Sequence, residues 1–309
     1  MKTNRAGDSS LSIEGRYAPN APDLSLNARV ERLRRIANVM RRNVIDMVYT
    51  AQSGHIGGSL SAADIVTALY FDLMNVDPAR PHWEERDRFV LSKGHACPIW
   101  YSALALRGFF PEDELKTLRR NDSRLQGHPI ASYLPGLDAS TGSLGLGFAQ
   151  AVGIAMEGKL VKKKGYTVFV VLGDGEIDEG VVWEASLAAS KYGLDNLVAI
   201  VDINNLQLDG TIGEVMPTEP IDDKFRAFGF DVLTMNGHDM ADVLMTLAKA
   251  RNARAGRPVC VLARTVKGKG VDFMEHELDW HGKAPNDEQY GKACAQLEKT
   301  GRELEGAEA

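Results

Sequence analysis

Thr167–Leu172 (TVFVVL), followed by Gly173-Asp174-Gly175, and Leu197–Ile203 (LVAIVDI), followed by Asn204-Asn205-Leu206, decide the fold of this chain. Each run is continuously apolar and rich in β-branched residues. Strands apolar on both faces belong to a parallel sheet covered by helices. Between them, Glu179–Tyr192 has helical composition, with Val182, Leu187 and Ala188 as its apolar positions. The three segments make a right-handed β-α-β unit. Both loops then leave the sheet at its carboxyl edge, where such folds hold their ligands. That places the Asp174 carboxylate beside the Asn204 amide oxygen. Gly173 and Gly175 let the backbone approach a bound group closely. Carboxylate, amide and main-chain oxygens are hard ligands that suit Mg, which completes its shell with phosphate oxygens. The helix near Glu179 points its positive end at the same region. Asp-Gly by itself is also a common turn; the second oxygen donor on the neighbouring strand favours the ligand reading.

Outward from this unit, residues 1–25 are polar and Pro-containing and read as an arm. The spacing of Val30, Leu33, Ala37, Met40, Val44 and Met47 predicts a helix over Leu26–Gln52, stopped by Ser53-Gly54. A second helix is expected from Ser61 as N-cap, with Ile65, Ala68, Leu69 and Leu73 inward. Arg88–Leu91 reads as a short strand leading into Ser92-Lys93-Gly94-His95. An amphipathic helix carrying Met240, Val243, Leu244 and Leu247 precedes a third buried strand, Val259–Arg264. Beyond residue 285 the chain is charged and reads as a surface helix or a partly mobile polar tail. The expected fold is one α/β domain over residues 26–285, a mostly parallel sheet flanked by helices.

The 309 residues are 44% hydrophobic and 25% charged, ordinary globular values rather than those of a disordered chain. A net charge of −6 argues against a nucleic-acid surface, which needs a basic excess. No run reaches the roughly 20 apolar residues of a membrane span, and the start, MKTNRAGDSS, has no apolar signal core. Cys97, Cys260 and Cys294 include no C-x-x-C pair and read as reduced thiols of a cytoplasmic protein. Gly153–Lys159 has the outline of a Walker A loop, but Leu160 stands where Ser or Thr must bind Mg, and no strand precedes it. The small residues Gly147, Ala149, Ala151, Gly153 and Ala155 point instead to close helix packing. Gly142-Ser143-Leu144-Gly145-Leu146-Gly147 opens that helix; it is not a dinucleotide fingerprint, but it leaves room for a phosphate cradle.

Four of the seven histidines sit in Gly-containing loops: His55, His95, His128 and His281. None has the spacing of a zinc site. Together they predict a polar, pH-sensitive pocket able to donate to substrate hydroxyls and shuttle protons.

Read in order, Ser53–Gly58 (SGHIGG), Asp87–Ala96 (DRFVLSKGHA), Gln126–Pro129 (QGHP), Ser140–Gly145 (STGSLG), Val171–Gly180 (VLGDGEIDEG), Asp202–Gly210 (DINNLQLDG) and Trp280–Gly282 (WHG) resemble the N-terminal part of a transketolase. The resemblance runs from about residue 27 to 285. It implies the thiamine diphosphate-binding fold, with thiamine diphosphate and Mg, and identifies the chain as the diphosphate-binding domain. By the same resemblance Asp174, Asn204 and the Leu206 carbonyl are the Mg ligands. Gly142, Leu144 and Gly175 line the diphosphate and thiazolium, with Gly173, His95 and Asn204 also on the cofactor. His55, His95, His128 and His281 match the active-site histidines that contact cofactor, donor or acceptor sugar. Glu179 matches an acidic residue at the subunit contact near the aminopyrimidine; as a first-turn carboxylate it also suits the helix dipole. Many family members have Gln where this chain has Leu146, which removes a polar contact.

Family members of the usual kind carry a pyrimidine-binding domain and a C-terminal domain after this one, and the pyrimidine domain holds the Glu that activates the cofactor. No residue here matches that Glu. The resemblance therefore implies the N-terminal subunit of a two-chain transketolase, active with a C-terminal subunit that carries the pyrimidine domain, two copies of each chain. It would move a two-carbon ketol unit from a ketose phosphate to an aldose. Two other readings stand beside it. The α subunit of a 2-oxo-acid dehydrogenase shares Gly-Asp-Gly and a later Asn but lacks the Ser-Lys-Gly-His-Ala and Gln-Gly-His-Pro loops. A non-catalytic binding subunit of the same fold would be expected to lose the metal ligands, and Asp174 and Asn204 are both present.

Overall fold

The structure, a computed structural model, describes residues 24–306, so most of the expected arm lies outside the described residues. Five strands, β1 (Arg88–Leu91), β2 (Val168–Gly173), β3 (Leu197–Ile203), β4 (Asp231–Asn236) and β5 (Val259–Arg264), form one sheet in the order β1-β2-β3-β5-β4. Every pairing is parallel. The helices are α1 (Leu26–Ala51), α2 (Gly57–Ser61), α3 (Ala63–Ala68), α4 (Cys97–Leu106), α5 (Leu146–Met156), α6 (Gly180–Lys191), α7 (Ile212–Val215), α8 (Ile221–Ala227), α9 (Met240–Asn252) and α10 (Asp287–Gly306).

The strands explain the layering. Successive side chains point to opposite faces, so Phe89, Leu91, Phe169, Val171, Val198 and Ile200 join a core with α1, α3, α4 and α9. Val90, Val168, Val170, Leu172, Ala199 and Val201 join a second core with α5, α6 and α8. Both faces are dry, as the unbroken apolar runs require.

The α1 stripe is buried at Leu33, Ala37, Met40, Val44 and Met47, and Ser25 caps the helix by accepting from the Ala28 N–H at 3.3 Å. Ser61 does not start a helix, contrary to expectation. It ends α2, and its hydroxyl donates to the Gly58 carbonyl (3.1 Å) and the Asp202 carboxylate (2.6 Å). Of the apolar positions of α6, Val182 is buried, whereas Leu187 is 60% exposed. On α5, Ala151 and Ala155 pack inward, whereas a side chain at Gly153 would meet no atom within 4 Å. The sequence reading has no counterpart of β4: this edge strand (DVLTMN) is mostly half-buried and lacks an apolar run. Residues 287–306 are a helix docked on α1, with Ala293, Cys294 and Leu297 buried and Tyr290 stacked on Tyr49 at 3.9 Å.

The sheet sets up the site. At the carboxyl ends of β1, β2, β3 and β5 the chain continues into Ser92–His95, Asp174–Glu176, Asn204–Gln207 and Thr265–Lys267, four neighbouring loops.

Candidate active site

These loops, joined by the His55, His128, Gly142 and His281 segments, enclose a cavity of about 380 Å³, within the size range of small-molecule sites. Its lining includes His55, His95, His128, His281, Gly142, Leu144, Gly173, Asp174, Gly175, Asn204 and Leu206. Glu179 is not part of it: this side chain is exposed at the start of α6, beside Gly145.

Three histidine rings form one cluster. The centroids of His55 and His95 are 5.0 Å apart, and His281 lies 5.4 Å from each. The His128 ring borders Gly142, where an added Cβ would come within 3.2 Å of it. Burial, then the Arg119 charge, pushes His55 down to about 4. Burial, then Lys267, pushes His281 to about 4. Burial, then Lys93, drives His95 well below its ordinary value, and burial with Arg119 lowers His128. The rings are therefore neutral near pH 7.

Asp174 and Asn204 lie on neighbouring loops that line the same cavity. Gly173 is opposite Asp202 in the β2–β3 register. One residue on, Asp174 Oδ2 accepts the Asn205 N–H at 2.6 Å, and Oδ1 accepts the Gly175 N–H at 3.0 Å. Asn204 Oδ1 accepts the Leu206 N–H at 3.2 Å. Burial, then the neighbouring Asp202 charge, raises Asp174 to about 6.

Four further residues, unassigned in the sequence reading, hold this site together. Lys93 donates to the Asp202 carboxylate and, at 2.8 Å, to the Gly58 carbonyl. Asp202 also accepts from Ser61 and Thr265, so one carboxylate binds three loops. Burial would push its carboxyl up, but Lys93 and these hydrogen bonds hold it below its ordinary value. Glu176, 2% exposed, accepts from Ser92 Oγ, the Gly145 N–H (2.8 Å) and the Gly173 N–H (3.0 Å). Lys267 donates to His281 Nδ1 (2.8 Å) and to the carbonyls of Leu206 (3.2 Å) and Gln207 (3.0 Å). An ammonium only donates, so the neutral His281 ring carries its proton on Nε2.

The residues fit a divalent cation and a diphosphate. Asp174 is 3% exposed, and its oxygens meet only backbone N–H groups among the described residues. A buried carboxylate with no cation on it gains from one. The Lys267 ammonium on the Leu206 and Gln207 carbonyls shows that this oxygen-rich rim accepts positive charge. The cradle is built of close backbone: a Cβ on Gly94 would lie 2.9 Å from the Gly142 nitrogen, and one on Gly147 would lie 2.7 Å from Ser92 Cα.

A family model described as transketolase, thiamine diphosphate binding domain, matches residues 33–299. The chain is 43% identical over 265 residues to the 6-deoxy-6-sulfo-D-fructose transketolase subunit of Clostridium sp. (strain MSTE9), covering 86% of this chain and 96% of that protein. It is 42% identical over 277 residues to an apulose-4-phosphate transketolase subunit of Phocaeicola vulgatus, covering 90% and 98%. The crystal structure of transketolase from Campylobacter jejuni superposes with a TM-score of 0.81 at 35% identity, covering 86% of this chain and 42% of that one. The chain thus spans nearly all of the relatives named as subunits and about two fifths of the single-chain enzyme.

Proposed function

The chain belongs to the transketolase family, through its thiamine diphosphate binding domain, and on that premise we propose that it is the diphosphate-holding subunit of a two-chain transketolase. The observation that carries this reading is the convergence of four histidines with Asp174 and Asn204 on one cavity. We take Asp174, Asn204 and the Leu206 carbonyl as the Mg ligands, and Gly142, Leu144, Gly173, Gly175 and His95 as the cofactor's other contacts. When bound, thiamine diphosphate supplies the electron sink that lets a carbon–carbon bond beside a carbonyl break and re-form.

The chain's own residues bind and orient. Neutral imidazoles of His55, His95, His128 and His281 hydrogen-bond the hydroxyls and carbonyl of the sugar. The missing pyrimidine contact is assigned to a partner chain, in an assembly with two copies of each. Leu146, 47% exposed and two residues from the cavity-lining Leu144, offers that partner apolar surface. We place Glu179, exposed beside Gly145, at the same contact. The relatives named for a sulfonated and a phosphorylated sugar support a ketose donor with a terminal anionic group. Among the described residues no helix is long and apolar enough to cross a membrane, and the three free, buried cysteines suit a cytoplasmic setting.

The reading as a 2-oxo-acid dehydrogenase α chain loses ground to the comparisons, which name transketolases. The test is reconstitution. The purified chain should show no ketol transfer alone, and should gain it with a partner that supplies a pyrimidine domain. Full turnover by the chain alone would refute the split.

A further inference from the structure

Behind His55, outside the cavity lining, lies a cation that the reading above leaves without a role. Arg119 donates through Nη1 to Ser53 Oγ at 3.0 Å, and its Nη2 faces His55 Nδ1 at 3.4 Å. No carboxylate within ion-pair distance of it is found among the described residues. Its placement is built in at two further points. Its backbone is left-handed (φ 61°), a conformation unfavourable for a non-glycine residue, and its N–H closes the loop onto the Leu125 carbonyl at 2.8 Å. The guanidinium also lies flat against Gly127: a Cβ there would come within 2.8 Å of Arg119 Cζ. The glycine of the Gln-Gly-His-Pro loop thus leaves the space that the guanidinium fills.

Guanidinium groups carry donors and no acceptor. A proton on His55 Nδ1 would point at a donor, so that nitrogen must hold its lone pair toward Arg119. The proton then sits on Nε2, the nitrogen left for the cavity. The geometry points to Arg119 as a positioning residue that holds His55 in the neutral Nε2–H tautomer, so that His55 offers the sugar a hydrogen-bond donor and not a base. The charges that face His55 are Arg119, Lys267 and the His128 ring, with the His95 and His281 rings beside it. None is acidic, so no neighbour favours the imidazolium. His281 repeats the arrangement, with Lys267 on its Nδ1. The tautomer follows from geometry alone; its effect on turnover rests on the transketolase reading.

The test is nitrogen-15 NMR of the histidine-labelled full-length chain, with the His55 signals identified by their loss in His55→Gln. The wild type should show a protonated Nε2 and an unprotonated Nδ1 at pH 7; a protonated Nδ1 overturns the proposal before any variant is made. Arg119→Met, which keeps the stem and removes every donor, should release a mixture of tautomers and move the His55 titration toward its ordinary value. In the enzyme reconstituted with its partner the same change should lower kcat about 10- to 100-fold, a range usual for residues that orient a ligand. Thiamine diphosphate affinity should stay within about twofold, and Arg119→Lys should recover part of the rate. Loss of stability with an unchanged tautomer and titration would show a merely structural arginine. A confirmed tautomer with no ketol transfer in any reconstitution would sink the proposed function and leave the assignment standing.

Discussion

Lys93 and Asp202 form an ion pair at the foot of the pocket, with the two side chains 3% and 0% exposed. Asp202 is the one charged residue of β3, in a stretch that is otherwise apolar. It carries the loops after β1 and β5 and the end of α2 through Lys93, Thr265 and Ser61. Removing one member of such a pair leaves a charge buried and alone, which costs about 3–5 kcal/mol. Lys93→Met should lower unfolding stability by that order in a denaturant titration. Lys93→Met/Asp202→Asn should recover much of it, since the remaining amide still accepts from Ser61 or Thr265. A single variant as stable as the wild type would show that the pair does not hold the loops.

The histidine cluster predicts how the chain responds to acid. His55 and His281 lie at about 4 in the folded chain, whereas in the unfolded chain they return to about 6.5. Between these values the unfolded state binds the extra protons, so stability rises with pH across the window. Stability should therefore be full above about pH 6.5 and fall progressively toward pH 4. Calorimetric melts at stepped pH check this, and His55→Gln should flatten the slope. A slope of the opposite sign would mean that the rings bind protons more tightly when folded.

Asp174→Ala should act in opposite directions on the empty and the loaded protein. Burial and the Asp202 charge disfavour the Asp174 carboxylate at neutral pH, so without ligand the variant should be at least as stable as the wild type. With Mg and thiamine diphosphate at about 100 times Kd, the wild-type assembly should gain about 2.7 kcal/mol. The variant should gain little and show no metal-dependent turnover. Equal stabilisation of both by the ligands would remove Asp174 from the metal site.

How much of this is legible in the sequence depends on what each residue must do. The β2 and β3 runs are apolar on both faces, and that alone gives the parallel sheet, the crossover and the shared carboxyl edge of the Asp174 and Asn204 loops. The four loop histidines need only their glycine-rich settings to be grouped. Residues that act on other protein groups are harder to see. Lys267 reaches His281 from a loop whose Val-Lys-Gly-Lys-Gly sequence has no periodicity. Ser61 reads as a helix cap because its real acceptor, Asp202, is 141 positions away. Asp202 itself carries a usable signal: an acid inside a strand with no exposed face must be paired. β4 escapes because an edge strand need not be apolar on both faces.

Glu176 carries the last prediction. Glu176 follows the Gly-Asp-Gly turn and is unassigned in the sequence, yet its side chain is buried and turned back onto the loops around it. Its two oxygens take the Ser92 hydroxyl and the N–H groups of Gly145 and Gly173. Gly145 is at φ 78°, and a Cβ there would come within 2.6 Å of Val181. The glycine loop is therefore pinned by an acceptor on one side and by the close approach of α6 on the other. Burial raises the Glu176 carboxyl above its ordinary value, and these donors oppose the rise. Glutamine is the same size but has one acceptor oxygen, and its amide N–H₂ would face a group that only donates. Glu176→Gln should cost about 1–3 kcal/mol, the penalty for a buried hydrogen-bonding group left unmatched. Because Gly145 adjoins Leu144 and Gly142 on the cavity wall, the looser loop should also weaken thiamine diphosphate binding by about tenfold, or 1.4 kcal/mol. Calorimetry of the reconstituted subunits reads the second effect and denaturant titration the first. A stability loss with unchanged affinity would show that the loop keeps its shape without Glu176.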